Sequence, residues 1–296
     1  MVLILRHSVA LLLFAALLAA CAASGSNASD GRTRVVAAFY PLAEAARQVG
    51  GGGVHVDDLT PPGAEPHDLE ITTRQVDRIE SADAVFVMGH QFQPAVEDVA
   101  KLRNKHTARI LEQIPATKQR PNDPHVWLDP VYMKQIVDIV ERELARVDPA
   151  HASTYAANAA RYKTQLDALD REFAAGLADC ERTEIVTSHE AFGWLARRYG
   201  LEQHAIAGID PQQEPSANRI AELSDLAKRD RVTTIFTESL VSPKVAETLA
   251  REAGGLKTEV LNALEGLTDA ERSHGADYIS VMRDNLQTLR TALGCH

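Results

Sequence analysis

The 296-residue sequence has an acidic charge balance, few cysteines and no long apolar run beyond its N-terminus. The formal net charge of −10 argues against a nucleic-acid partner, because nucleic-acid-binding domains present a basic surface. No later stretch approaches the ~18–20 apolar residues that cross a bilayer as a helix. An HExxH motif, other compact metallohydrolase motifs and close internal repeats are also absent. This composition suits a soluble protein of the periplasm or cell surface.

The first residues have the pattern of an export signal. A basic start precedes an apolar run at residues 9–20, which is too short to span a bilayer. The run ends in LAAC, and small residues before a cysteine resemble a bacterial lipobox, in which Cys21 is lipidated and becomes the new N-terminus. An ordinary secretory signal with a chance cysteine is the alternative. We predict a signal peptide at 1–20, and a lipidated N-terminus with a flexible, small and polar tether at 21–33.

Two cysteines remain when Cys21 carries a lipid. An exported chain meets an oxidising compartment, so Cys180 and Cys295 are predicted to form one disulfide. The bridge would tie the last helix to the start of the second half of the chain. Two buried thiols are the alternative. A cysteine metal site is disfavoured, because neither cysteine has a metal-binding residue close by in the sequence.

Strand and helix patterns alternate through both halves of the chain, which favours mostly parallel sheets. Residues 151–179 interrupt the alternation, because apolar residues recur there at three- and four-residue steps and predict one amphipathic helix of ~25 residues, about 40 Å long. We predict an α/β fold of two lobes, each a mostly parallel sheet flanked by helices, joined by this rigid helix. The predicted bounds are 34–148 for the N-terminal lobe, 149–180 for the linking helix and 181–296 for the C-terminal lobe. A surface helix within one domain is the alternative.

Three histidines lie in loops that proline stiffens or that directly follow a predicted strand. Proline fixes its own φ and moves the preceding residue out of the helical region, so such a loop presents a side chain at a fixed place. Ligands of open α/β sheets bind beyond the carboxyl ends of the strands. We therefore predict that His67, His125 and His189 converge on one metal ion between the two halves. They lie in the segments PPGAEPHDLE (61–70), DPHVWLDP (123–130) and TSHEAFG (187–193).

Three neutral imidazoles are a ligand set that suits Zn²⁺, whereas Mn²⁺ prefers carboxylate oxygens. Asp129 or Glu70 is expected to hold a ligand imidazole by its other nitrogen. Trp127 is expected to pack against the wall of the cleft, and His90 is a residue that would line it. The loop of His125 is expected to lie outside the core, so that its replacement would leave the fold intact.

These three segments, in this order and after a lipobox, resemble the metal motifs of the metal-binding lipoproteins of bacterial zinc and manganese ABC importers, the cluster A-I solute-binding proteins. The resemblance runs from about residue 35 to the C-terminus. It implies two α/β lobes, a rigid linking helix, a metal in the cleft between the lobes and delivery of that metal to a membrane permease. Manganese-type members carry Glu where this chain has His189, so the resemblance implies a zinc-type protein.

The chain departs from this family at two places. Many members supply a fourth ligand from an Asp after a late strand, and Asn262 stands at that place. The fourth ligand is left open between water, Asn262, Glu238 and Glu65, with a helix cap or an ion pair as the alternative role of Glu238. Many zinc-type members also carry a long His-rich loop, whereas residues 102–122 contain only one histidine.

The resulting prediction is a solute-binding protein that captures zinc outside the cytoplasm and delivers it to the permease of a zinc ABC importer. We expect a monomer without enzymatic activity, held by its lipid on the extracytoplasmic face of the cell membrane. A binding protein for manganese or another divalent metal is one alternative. A secreted zinc hydrolase is another, because three histidines and a water also form a catalytic zinc site. An additional adhesin role is left open.

Overall fold

The computed structural model describes residues 31–115, 120 and 122–296. The predicted signal peptide and the lipidation site Cys21 lie outside these residues. Among the described residues, no helix combines the length and the apolar character needed to span a bilayer.

The first half of the chain forms a parallel sheet whose central strands are apolar on both faces. Every residue of β3 is buried, as is typical of a parallel strand covered by helices on both sides. The four strands lie in the order β2-β1-β3-β4. They are β1 (Thr33–Ala37), β2 (Val54–Asp58), β3 (Ala84–Val87) and β4 (Thr107–Arg109). The helices of this half are α1 (Tyr40–Gly50), α2 (Thr73–Ser81), α3 (Pro94–Lys101) and α4 (Pro130–Val147).

The long amphipathic helix is present as α5 (Ala152–Gly176), with 25 residues. Its apolar residues share one face because they recur at three- and four-residue steps. Near its start, Asn158 donates a hydrogen bond to the carbonyl of Val49 in the first half. Near its end, Phe173 stacks on Tyr199 of the second half, with ring centroids 5.1 Å apart. The helix therefore contacts both halves of the chain. Its buried residues are Tyr155, Ala159, Tyr162, Leu166, Leu169 and Phe173.

The second half repeats the topology of the first, with a parallel sheet in the order β6-β5-β7-β8. Strand β8 is exposed along its whole length, as befits the edge of the sheet. The strands are β5 (Glu184–Thr187), β6 (Glu202–Ala205), β7 (Thr234–Thr237) and β8 (Lys257–Val260). The helices are α6 (Gly193–Tyr199), α7 (Ala217–Arg229), α8 (Lys244–Glu252), α9 (Asp269–Ser273) and α10 (Tyr278–Leu293). The α/β fold with two parallel sheets is therefore confirmed.

The main hydrophobic core is continuous between the two halves. Phe39 and Trp127 from the first half belong to the same buried cluster as Phe236 and Leu261 from the second. Tyr278, the first residue of α10, donates from its hydroxyl to the carbonyl of Trp127 at 2.6 Å. The predicted lobe bounds at 148 and 180 stay a prediction.

A disulfide joins Cys180 to Cys295 across 115 residues of sequence. The two cysteines form an isolated antiparallel bridge, and Glu181 donates a backbone hydrogen bond to Gly294 beside it. The bond links the segment after α5 to the chain after α10, as predicted, so the last helix is tied to the start of the second half.

Replacing both cysteines by alanine is expected to lower the free energy of unfolding by about 3–5 kcal/mol, because the bridge closes a long loop in the unfolded chain. Urea unfolding of the double variant, compared with the parent in the presence and absence of a reducing agent, measures this. The reduced parent should unfold at the same urea concentration as the variant. Equal midpoints for the oxidised parent and the variant would contradict the expectation.

Candidate metal centre

Three imidazoles and one carboxylate meet at a single point between the two sheets. Nε2 of His67, His125 and His189 lies 3.1, 3.2 and 3.3 Å, respectively, from Oε1 of Glu265. Nε2 of His125 and Nε2 of His189 are 3.4 Å apart. The ligand atoms of all four residues lie within 4.8 Å of one another. The structure thus brings the three predicted histidines together and adds an acid that the sequence analysis missed.

The four shorter separations, of 3.1 to 3.4 Å, match edges of a small tetrahedron. Four ligand atoms at ~2.0–2.1 Å from a zinc ion lie about 3.3 Å from each other. The centre is also buried, since His125 and His189 are 0% exposed and Glu265 is 2% exposed. The side chain of His67, at 9%, is the most accessible of the four. Three nitrogens and one oxygen in this arrangement fit Zn²⁺.

His125 is fixed from both sides of its ring. Oδ1 of Asp123 accepts from the backbone N–H of His125 and lies 2.9 Å from its Nδ1. A proton on Nδ1 leaves the lone pair of Nε2 free for a metal. The residues after it, Val126–Leu128, form a buried 3-10 turn, and the ring of Trp127 lies 5.1 Å from that of His125. The expectation that this loop lies outside the core was wrong, because the turn fills the space between the sheets.

His189 follows β5 directly and is held by the neighbouring strands. Its backbone N–H donates to Oε1 of Glu238, whose Oε2 lies 2.7 Å from Nδ1 of the ring. The chain after β6 continues the pairing beyond Ala205, because Glu190 donates to the carbonyl of Gly208. Strand β6 itself ends at Ala205, and the chain beyond it supports the His189 loop.

His67 lies on the loop after β2, which rests on the loop of Glu265. The N–H of Gly63 donates to the carbonyl of Leu267 at 3.0 Å. The carboxylate of Glu65 accepts from the N–H of His67, and the ring of Phe92 packs 4.5 Å from the imidazole. His90 lines a cavity of about 340 Å³ that His67 also lines, as expected for a residue at the cleft.

Glu265 occupies the fourth position, for which the sequence suggested water, Asn262, Glu238 or Glu65. The side chain of Asn262 points elsewhere, since it donates to Glu271 and accepts from the N–H of Leu264. Glu238 lies behind His189, and the nearest oxygen of Glu65 is 3.9 Å from Nε2 of His67. One signal was available in the sequence, because Glu265 is the single charged residue in the otherwise apolar run at 263–267.

The carboxylates behind the imidazoles differ from those expected. Asp129 accepts from the N–H of Val131 and caps α4, and it lies 3.4 Å from Arg198. Glu70 is exposed. Asp123 and Glu238 take the role that Asp129 and Glu70 were predicted to have. Asp129 was misassigned because an Asp before a Pro at the start of a helix is a common N-cap.

The charges of the centre favour a divalent cation. Burial opposes protonation of His125, but its hydrogen bonds to Asp123 and Glu265 outweigh burial and raise its pKa. Burial likewise opposes protonation of His189, and the charges of Glu238 and Glu265 raise its pKa well above 6.5. Burial acts to raise the pKa of Glu265, yet the three imidazoles hold it well below 4.5. The raised pKa values of His125 and His189 favour their protonated forms without a metal, and a cation would displace those protons.

A buried centre of three imidazoles and one carboxylate, set between two parallel sheets that a long helix connects, defines a metal-binding protein of the solute-binding class. The family model for "zinc-uptake complex component A, periplasmic" matches residues 35–292. The chain belongs to this family.

Relatives agree in sequence and in fold. The high-affinity zinc uptake system protein ZnuA of Bacillus subtilis is 36% identical over 300 residues, which cover 94% of each chain. The zinc-binding lipoprotein AdcA of Streptococcus pneumoniae is 35% identical over 297 residues, and this chain spans only 59% of its length. The crystal structure of the Zn(II)-bound ZnuA-like domain of that AdcA superposes with a TM-score of 0.76 at 36% identity, covering 89% of this chain and 99% of the domain.

Replacement of Glu265 by Gln is expected to weaken zinc binding about 10–100-fold, because a neutral amide oxygen replaces the carboxylate at the fourth position. Glu65→Gln is the matched control, since it removes an equal charge from an oxygen 3.9 Å from Nε2 of His67. Zinc dissociation constants from competition with a chelator compare the two variants. A larger loss for Glu65→Gln than for Glu265→Gln would assign the fourth position to Glu65.

Proposed function

We propose that this chain is an extracytoplasmic solute-binding protein that captures a zinc ion and delivers it to the permease of a zinc ABC importer. The observation that carries the proposal is the convergence of three Nε2 atoms and one carboxylate oxygen in a space the size of a zinc coordination sphere. The names of the relatives, a zinc uptake system protein and a zinc-binding lipoprotein, support it. His67, His125, His189 and Glu265 are the proposed ligands, and zinc is the cargo.

A role in binding and transfer, without catalysis, follows from the closed ligand set. Catalytic zinc sites keep one position open for water or substrate, whereas sites with four protein ligands are closed. Glu265 takes the position that a hydrolytic water would need, and it is 2% exposed. We therefore favour a binding protein over the secreted hydrolase.

Zinc is favoured over manganese by the donor atoms. Imidazole nitrogen supplies three of the four, and Mn²⁺ prefers carboxylate and water oxygens. Purified protein that starts after Cys21 is to be loaded with Zn²⁺, Mn²⁺ and Cu²⁺ in competition and analysed for bound metal. We expect one Zn²⁺ per chain, retained against an excess of Mn²⁺. Retention of Mn²⁺ against equimolar Zn²⁺ would establish the manganese alternative.

Anchoring and domain layout complete the proposal. The S. pneumoniae relative is named a lipoprotein, which supports lipidation of Cys21 and a place on the outer face of the cell membrane. A Cys21→Ser variant is expected to leave the membrane fraction. A variant that stays with the membranes would contradict the lipid anchor.

We further propose a monomer in which residues 34–148 and 181–296 are lobes that the helical region 149–180 links.

A further inference from the structure

The segment that carries Glu265 has no regular secondary structure, yet most of it is hydrogen-bonded to other parts of the fold. We call residues 262–268, between β8 and α9, the Glu265 segment. The backbone of Asn262 exchanges two hydrogen bonds with the side chain of Asn285 on α10, each 2.8 Å long. The carbonyl of Ala263 accepts from Nε1 of Trp127, also at 2.8 Å. The segment therefore bridges α10 and the turn that follows His125.

The side chain of Asn262 is buried and bonds at both of its ends. Its Oδ1 accepts from the N–H of Leu264 at 2.7 Å, within the Glu265 segment. Its Nδ2 donates to Oε1 of Glu271 at 2.8 Å. Asn262 is 5% exposed, so neither bond has water as a ready substitute. The two bonds connect the turn before Glu265 to the first turn of α9.

Leu264 adopts a left-handed backbone conformation, with φ of 54°. A residue with a β-carbon and a branched side chain rarely takes this conformation, so the surrounding contacts must impose it. The bond from its N–H to Asn262 is the local contact that closes this turn. Glu265 is the next residue, and the turn at Leu264 sets the direction in which its carboxylate leaves the chain.

We propose that Asn262 is a positioning residue for Glu265: its side-chain oxygen holds Leu264 in the left-handed turn and thereby aims the carboxylate at the three imidazoles. The inference rests on the proposed zinc site. It gives Asn262 a role that differs from that of a ligand, because its oxygen faces the backbone of Leu264 and not the ligand atoms.

The other bond of Asn262 has a separate purpose. The carboxylate of Glu271 also accepts from the backbone N–H of Thr268, and the N–H of Glu271 donates to the hydroxyl of Thr268, so the two residues form a capping box for α9. The bond from Nδ2 of Asn262 therefore serves the stability of α9, whereas the bond to its Oδ1 serves the turn. Asn262→Asp retains the acceptor for Leu264 but sets a carboxylate against that of Glu271. Asn262→Ala removes both hydrogen bonds of the side chain, to Leu264 and to Glu271.

The test is a double-mutant cycle in zinc affinity. Asn262→Ala, Glu265→Ala and the double variant are compared with the parent by chelator competition, and the urea unfolding of each metal-free protein is recorded. Asn262→Ala alone is expected to weaken zinc binding about 10–100-fold, as removal of a group that orients a ligand commonly does. In the Glu265→Ala background it should change affinity by less than about threefold, since there is no ligand oxygen left to aim. An equal loss in both backgrounds, or no loss in the parent, would overturn the proposal.

Two further variants separate positioning from stability. Asn262→Asp is expected to lose more stability than affinity, and Asn262→Ala more affinity than stability. Ser216→Ala, which removes the cap of α7 where Oγ accepts from Arg219, should lower stability and leave zinc affinity unchanged. If affinity simply follows stability across the three variants, Asn262 has only a structural role.

A spectroscopic arm reports the ligand directly. Co²⁺ bound to Asn262→Ala should show visible absorption shifted toward that of Co²⁺ bound to Glu265→Ala, whereas Ser216→Ala keeps the parent spectrum. A parent-like spectrum for Asn262→Ala would overturn the proposal. Failure of the zinc site itself is distinguishable, because the parent would then bind zinc no better than a variant without His125.

Discussion

Replacement of His125 by alanine is expected to weaken zinc binding about 10²–10³-fold. Structural zinc sites with four ligands have apparent binding free energies of about 10–16 kcal/mol, or roughly 2.5–4 kcal/mol for each ligand, and each 1.4 kcal/mol is tenfold in affinity. His125 is 0% exposed, so bulk water has little access to the position that its nitrogen would leave. Competition with a chelator of known affinity measures the loss.

The control for this variant is His204→Ala on β6, which removes a partly buried imidazole that belongs to no metal-ligand cluster of the described residues. It should bind zinc as the parent does. His125→Ala also removes the imidazole that is hydrogen-bonded to Asp123. Because Asp123 keeps its ion pair with Arg120 at 2.9 Å, we expect some loss of stability but no unfolding. Circular dichroism and urea unfolding check this. Parent-like zinc affinity in a folded His125→Ala variant would remove His125 from the site.

The three histidines could be predicted because the chain around each of them is locally constrained. His125 has a proline on either side of its turn, and His189 begins the loop directly after β5. Loops of this kind project a side chain in a direction that the strands determine. Since the carboxyl ends of parallel strands face one edge of a sheet, histidines from both halves could be expected at one cleft.

Glu265 was missed because its position depends on tertiary contacts. The left-handed conformation of Leu264, the hydrogen bond that its N–H donates to Asn262 and the indole of Trp127 all contribute to its orientation. None of these contacts leaves a periodic pattern in the sequence. The neighbouring Asn262 was considered instead, because the family resemblance placed an acid there.

Helix α9 was missed for a different reason, because its sequence signal is short. Thr268 and Glu271 form the S/T-x-x-E/Q pattern of a capping box, which both side chains complete in the structure. The helix has only 5 residues and no buried face, so no apolar period accompanies the cap. The long helix α5 shows the opposite case, where the periodic apolar face alone was sufficient.

Zinc affinity is expected to fall about 10²–10⁴-fold between pH 7.5 and pH 5.5, because one to two protons must leave the imidazoles for each zinc bound. The pKa values of His125 and His189 are raised by their carboxylate neighbours, so the competition begins above the usual pKa of ~6.5. Glu265 does not contribute in this range, since its pKa is held well below 4.5. Chelator competition at a series of pH values measures the slope.

The stability of the metal-free protein should change in the opposite direction. A histidine whose pKa is raised by folding stabilises the protein fully below the unfolded pKa of ~6.5, and this stabilisation is lost as the pH rises through the folded value. Burial raises the pKa of Asp129 and of Glu65 to about 6, so their protonation favours the folded state in the same sense at lower pH. Between pH 7.5 and pH 5, the free energy of unfolding of the metal-free protein should therefore rise as the pH falls, while the affinity for zinc decreases.

The two trends make the shift in melting temperature on zinc addition a sensitive measure of the site. Bound zinc stabilises the folded state by RT ln(1 + [Zn]/Kd), so the shift should be large at pH 7.5 and almost absent at pH 5. A His125→Ala/His189→Ala variant should show a small shift in melting temperature at every pH, because both imidazoles with a raised pKa are gone. A shift that stays constant from pH 5 to pH 7.5 in the parent would mean that zinc does not displace protons from these imidazoles. The three-histidine centre would then have to be abandoned as the binding site.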